Sequence, residues 1–322
     1  MRSGFRLIPL MLCLILLVFG GVEGQQITHS PGLVRQQGFL MDNVLTTEDG
    51  VFHYNLYVPE SYDGTRPYAL HVALPGWEGL YFQGLGEDLR WEYLPFESQN
   101  YIDDLVVVSA QLNDWGPTSA REAISLTEYL LSAYNIDPNR VFISGYSGGG
   151  ETLSRVMEDR PELYTAALFV SSQWDGDPQP LVDAETPLYL FTAENDSYYG
   201  SAPVRRIWQT IHDLYAAKGL TEENIAELLV MDIRTNSELD ALRAANTDKV
   251  GAAYAMDYHG AGMLAALHVF HLPSPHLAGG DLVEVRDILC SEPRGEILEV
   301  AKIVAYGARR HAAFGGDVVA KA

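Results

Sequence analysis

Short, unbroken apolar runs separated by amphipathic stretches constrain this chain more than any other feature. Tyr68 to Leu74 and Leu105 to Ala110 contain no Asp, Glu, Lys or Arg. Successive side chains of a strand point to opposite faces, so a run that is apolar throughout belongs to a sheet covered on both sides. Upstream, Val51 to Pro59 alternates as a half-buried strand does, and Tyr62 to Pro67 reads as the turn that ends it. Downstream, Thr118 or Ser119 can cap a helix whose Ala123, Leu126, Tyr129, Leu130 and Ala133 share one face, with Asp137-Pro138 as its stop. Further strands are expected at Arg140 to Ser144, Ala166 to Ser171 and Leu188 to Thr192, and a helix over Val204 to Lys218 that closes at Gly219. Strand and helix alternate, which predicts an α/β fold: a mainly parallel central sheet with helices on both faces.

Composition narrows the function. The 322 residues include 21 Lys+Arg against 43 Asp+Glu, a formal net charge of −22. Such a balance excludes a strongly basic nucleic-acid binder, which must neutralise phosphates with clustered positive charge. At 47% hydrophobic and 20% charged residues the chain is globular in composition rather than disordered. Arg2 and Arg6 precede an apolar run from Leu7 to Phe19 and small residues around Val22-Glu23-Gly24, the layout of a cleaved export signal. The run is shorter than the ~20 residues of a membrane-spanning helix, so no stable span is expected in the mature protein. Cys13 lies in that run, which leaves Cys290 as a lone thiol, unable to form an internal disulfide or a cysteine zinc site. The expected division is a signal over 1–24, a polar leader over 25–50, a body over 51–262 and a C-terminal segment over 263–322. That last segment is close to charge balance, and a helix packed on the body is expected over 297–313.

Gly145-Tyr146-Ser147-Gly148-Gly149 matches G-x-S-x-G and stands between the strand ending at Ser144 and a helical segment beginning near Glu151. A nucleophile elbow needs that strand, turn and helix context, because the serine is strained and crowded on both sides. The elbow, with Asn135-Ile136-Asp137-Pro138-Asn139-Arg140-Val141, Ser171-Ser172-Gln173-Trp174-Asp175-Gly176 and Thr192-Ala193-Glu194-Asn195-Asp196-Ser197-Tyr198-Tyr199, resembles the α/β-hydrolase superfamily. The likeness is to its secreted esterase and predicted-peptidase branch, related to polyhydroxybutyrate depolymerases, feruloyl esterases and prolyl oligopeptidases, and it covers approximately Val51 to Gly262.

The resemblance implies a serine nucleophile, Ser147, followed along the chain by an acid and a histidine. Asp196 lies in the loop after the strand Leu188 to Thr192, where members place the acid, and Glu194 is its rival. His259, in Asp257-Tyr258-His259-Gly260, resembles the His-Gly segment that closes the domain, and His276 is the alternative base. The long interval from Asp196 to His259 implies an inserted helix and strand around Thr221 to Ile233. Oxyanion donors are expected from the N–H of Gly148 and from the Pro75 to Gly79 loop. Pro75 replaces the histidine of relatives and has no N–H, so the second donor falls to Gly76 or Trp77. Tyr146, Trp174, Tyr198 and Tyr199 are expected to line an aromatic cleft at the C-terminal edge of the sheet, suited to a small-molecule or polymer-linked ester. Neither a metal nor an organic cofactor is implied. Three readings stand: an exported carboxylic ester hydrolase, a prolyl-oligopeptidase-like peptidase with the same machinery, and a non-catalytic secreted binding protein on a hydrolase scaffold.

Overall fold

The computed structural model describes residues 27–83, 86–91, 95, 98, 102–245, 258 and 259. Ten strands form one sheet: β1 (Thr28–Ser30), β2 (Val34–Gln36), β3 (Phe39–Thr47), β4 (Gly50–Tyr57), β5 (Tyr68–Leu74), β6 (Leu105–Ala110), β7 (Ile136–Tyr146), β8 (Ala166–Val170), β9 (Leu188–Ala193) and β10 (Leu229–Arg234). Their order is β1-β3-β4-β6-β5-β7-β8-β9-β10, with β2 paired to β3. From β6 across to β10 every neighbouring pair is parallel. The strands before Pro59 join antiparallel.

Burial on both faces is visible in the alternation. Leu70, Val72, Leu74, Val106 and Val108 enter a large core with α2 (Pro117–Ala133) and α3 (Gly148–Asp159). Their neighbours Ala69, Leu105 and Val107 enter a second core with Leu89 of α1 (Glu87–Trp91). Each buried Val or Leu contributes roughly 1.5–3 kcal/mol relative to exposure, which is why the uninterrupted apolar runs become the central strands. Further helices among the described residues are α4 (Gln179–Ala184), α5 (Ala202–Ala217), α6 (Glu222–Leu228) and α7 (Asn236–Ala245). Helix α6 and β10 are the helix and strand expected between the acid and the histidine.

Two expectations need correction. Residues 25–50 are not merely a polar leader, because β1, β2 and β3 all lie within them. In β3 the residues Phe39, Met41, Asn43, Leu45 and Thr47 are all buried, an alternation masked in the sequence by the polar Asn43 and Thr47. Asn43 is accommodated because its amide donates to the Leu40 and Tyr54 carbonyl oxygens. Nor does Thr118 or Ser119 begin α2. Gly116 is its cap and Pro117 its first residue, while Asp114 Oδ1 accepts the N–H groups of Gly116 and Ser119. The Ser119 hydroxyl instead accepts the N–H groups of Asn113 and Asp114.

The N-terminal apolar run, Cys13, Cys290, His276, the segment after Met263 and the helix expected over 297–313 lie outside the described residues. Among the described residues no helix is long and apolar enough to cross a membrane.

Candidate active site

Parallel register brings the site together. Leu74 pairs with Gly145, Tyr146 with Val170, and Val170 with Phe191, so β5, β7, β8 and β9 end at the same edge of the sheet. The Pro75–Gly79 loop, Ser147, Ser171 and the Glu194–Gly200 loop are consequently neighbours, at the edge where open α/β sheets bind ligands.

Ser147 stands between β7 and α3 with φ 52° and ψ −125°. An L residue avoids this region, and surrounding contacts hold it there. Its N–H donates to the Val170 oxygen at 3.1 Å, and its carbonyl oxygen accepts Gly150 N–H at 2.8 Å and the Ser172 hydroxyl at 2.6 Å. The flanking glycines allow the approach: a Cβ on Gly145 would strike the Gly149 carbonyl, and one on Gly149 the Leu74 and Pro75 carbonyls. A Cβ on Gly148 would overlap the Trp115 indole, a neighbour the sequence did not announce.

His259 Nε2 lies 3.0 Å from Ser147 Oγ, and His259 Nδ1 lies 2.8 Å from Asp196 Oδ2. With Asp196 ionised, Nδ1 carries the proton and Nε2 is free to accept one from the serine. The other oxygen of Asp196 accepts the backbone N–H of Tyr198 at 2.9 Å and of Tyr199 at 2.8 Å. Burial alone would raise the Asp196 pKa, but the hydrogen bond and charge of His259 and the two N–H groups outweigh it, leaving it below the usual carboxylate value. Glu194, the rival acid, is exposed, and its N–H donates to the Arg234 carbonyl.

Three tyrosines surround the imidazole. The His259 ring centroid is 5.1 Å from that of Tyr146, 5.6 Å from Tyr198 and 5.7 Å from Tyr199. Tyr146 is buried beneath the site and Tyr198 is 74% exposed at its mouth, so only the latter presents its face to an incoming ligand. Trp174, in the segment after β8, is half-buried and packs on Phe169 at 5.5 Å, against the large core. Gly148 opens α3, so its N–H sits at the helix N-terminus directly after the nucleophile. Gly76 flanks, and the half-exposed Trp77 begins, a 3₁₀ turn in the loop that adjoins Gly149. Glu151, one helical turn beyond Ser147 in α3, accepts the Tyr199 hydroxyl at 2.7 Å, a contact that the sequence did not announce. No group of three or more His, Cys, Asp or Glu able to hold a metal occurs among the described residues.

A profile of the prolyl oligopeptidase family (Peptidase_S9) matches residues 109–196, a span that runs from β6 through Ser147 to Asp196. A thermostable esterase structure superposes with a TM-score of 0.53 at 19% identity, covering 71% of this chain and 60% of that one. The chain has the α/β-hydrolase fold. The chain spans less than two thirds of that esterase's length. A prolyl endopeptidase structure matches with a TM-score of 0.47 at 14% identity, over 77% of this chain and 37% of that one. The glucuronoyl esterase from Solibacter usitatus matches with a TM-score of 0.46 at 11% identity, over 68% and 83%. No curated protein matches the chain in sequence.

Proposed function

We propose that this protein is an exported hydrolase that cleaves carboxylic esters through Ser147, His259 and Asp196. The observation that carries the reading is the continuous chain from Ser147 Oγ through both nitrogens of His259 to the buried Asp196, at 3.0 and 2.8 Å. Ser147 Oγ attacks the ester carbonyl while His259 Nε2 takes its proton. Asp196 holds the imidazole in the required tautomer and stabilises the imidazolium. The negative charge on the former carbonyl oxygen is received by the Gly148 N–H and by Gly76 or Trp77, each donor contributing about 3 kcal/mol to the transition state. His259 then protonates the departing alkoxide, and water admitted to the acyl-enzyme repeats the sequence in reverse.

The peptidase reading uses the same groups, and the prolyl oligopeptidase profile over residues 109–196 favours it. Esters come first because their alkoxide leaves with less help from the general acid than an amine does. The discriminating measurement compares a nitrophenyl ester with a peptide nitroanilide: fast amide cleavage with little ester turnover would reverse the order. A fluorophosphonate probe tests the class itself. Wild-type protein should be labelled and Ser147→Ala should not, and a folded wild type that resists the probe leaves only the non-catalytic binding protein. Export by residues 1–24 is part of the proposal; the mass of the product recovered outside the cytoplasm should correspond to a chain starting at Gln25, and recovery of the uncleaved chain counts against it.

A further inference from the structure

Two other loops close on the first residues of α3. Gly149 lies against the carbonyl oxygens of Leu74 and Pro75, where the proposed oxyanion loop begins, and Gly148 lies against Trp115, which follows β6. A Cβ on Gly148 would come within 2.3 Å of Trp115 Nε1, 2.4 Å of Cε2 and 2.5 Å of Cδ1, so the pyrrole edge of the indole fills the space a side chain there would need. Its loop is fixed by hydrogen bonds. Ser119 Oγ accepts the N–H groups of Asn113 and Asp114 at 2.9 and 3.0 Å, and Asp114 Oδ1 accepts those of Gly116 and Ser119 at 3.0 and 2.9 Å. Asn113 Nδ2 donates to Glu122 Oε1 at 2.6 Å. Leu112 N–H donates to the Gly79 carbonyl oxygen at 2.8 Å, and Tyr81 N–H to the Leu112 carbonyl oxygen at 2.9 Å, which ties this loop to the one after β5. Trp115 packs on the large core yet is only half-buried, so part of the indole stays open at the sheet edge that carries the site.

We propose that Trp115 is the specificity-determining wall on the acyl side of the cleft, and that it selects esters of short acyl groups. The strands run in the order β6-β5-β7-β8-β9. Ser147, at the end of β7, therefore stands between Trp115 on the β6 side and His259, held by Asp196 after β9, on the other. The alkoxide of an ester must leave beside His259 Nε2, which protonates it. The carbonyl oxygen turns to the Gly148 N–H. The acyl substituent, the third group on the attacked carbon, is thereby directed across Ser147 towards Trp115. An indole edge packed on Gly148 leaves room for few methylenes before the chain meets the ring. Trp115 Nε1 is buried with no hydrogen-bond partner among the described residues, so packing holds the ring and a phenyl can replace it without breaking a hydrogen bond. This role rests on Ser147 and His259 acting as in the proposed hydrolase.

The test compares kcat/KM on nitrophenyl acetate, butyrate and octanoate, beside a series of acetates that differ only in the alcohol. Wild type should fall steeply from acetate to octanoate. Trp115→Ala should raise the octanoate-to-acetate ratio by at least about tenfold, the order of discrimination that a single methylene gives in an apolar pocket, and should leave the ranking of the alcohol series unchanged. Trp115→Phe should move the same ratio in the same direction by about threefold. An unaltered ratio, an equal loss on every ester, or a shift confined to the alcohol series would each overturn the role. So would a wild type as fast on octanoate as on acetate. If Trp115→Ala does not fold, the ratio in Trp115→Phe decides alone. Fluorophosphonate labelling separates the two ideas: folded wild type that is not labelled at Ser147 removes the hydrolase reading and this role with it, whereas a labelled, active enzyme whose acyl preference ignores position 115 removes only the role of Trp115.

Discussion

Ser147 holds a backbone conformation that costs an L residue roughly 1–3 kcal/mol, and the cost is offset by hydrogen bonds to Val170, Gly150 and Ser172. The glycines around it have a separate duty, which is to let backbone approach backbone. Gly149→Ala would press a methyl into the carbonyl oxygens that end β5, with no flexible side chain able to yield. It should lower stability by about 3 kcal/mol, read as a shifted denaturant midpoint at unchanged slope. A substitution tolerated within about 0.5 kcal/mol would mean that α3 can withdraw from β5. At this scale much was legible: the elbow pattern demands those glycines, and Ser147, Asp196 and His259 stand within hydrogen-bonding distance as a chain. Which of Tyr198 and Tyr199 turns inward was not legible in an Asp-Ser-Tyr-Tyr string; the bond from the Tyr199 hydroxyl to Glu151, with Tyr198 left exposed, decides it.

Elements are tied together at the end of the sheet opposite the site. Arg140, 5% exposed in β7, pairs with Asp104 just before β6 through two hydrogen bonds of 2.9 and 2.8 Å, and Arg66 before β5 joins at 3.0 Å. The Arg140 hydrogen bond is the main cause that holds the Asp104 carboxyl at about 2, burial opposing it. An unfolded aspartate titrates near 3.9, so the native state binds its proton less readily than the unfolded state does. The stabilisation is therefore present above about pH 4 and is lost as the pH falls towards 2. Asp104→Asn should cost about 2 kcal/mol at pH 7, a figure discounted for the partial exposure of the pair. Thermal melts of wild type and variant should converge as the pH falls from about 4 to 2; a constant gap would show that packing, not charge, is lost. Elements were readable where hydrophobic period decided them, as in β5, β6 and α5. The start of α2 was misread because Asp114, outside the helix, satisfies its first N–H groups, and β3 was missed because its inward face includes Asn43 and Thr47.

Across the whole molecule the net charge of −22 sets a field that reaches any charged ligand. For two nitrophenyl esters of matched size, one neutral and one carrying a carboxylate, kcat/KM for the anionic ester should be lower at about 10 mM salt. It should rise several-fold by about 150 mM, where the Debye length is near 8 Å, while the neutral ester changes little. An anionic ester insensitive to salt would place the negative charge away from the site. The acidic balance, the α/β class, the nucleophile elbow and the strand that precedes the acid all follow from the sequence alone, because each is a local property: a charge count, a period, or a serine between glycines. What only the tertiary structure decided was which distant groups meet. Asp196 rather than Glu194 faces His259, Trp174 joins the core, residues 28–47 extend the sheet, and Glu151 reaches Tyr199. These outcomes depend on parallel strand register, which aligns loops separated by tens of residues at one sheet edge, and no local pattern encodes that alignment.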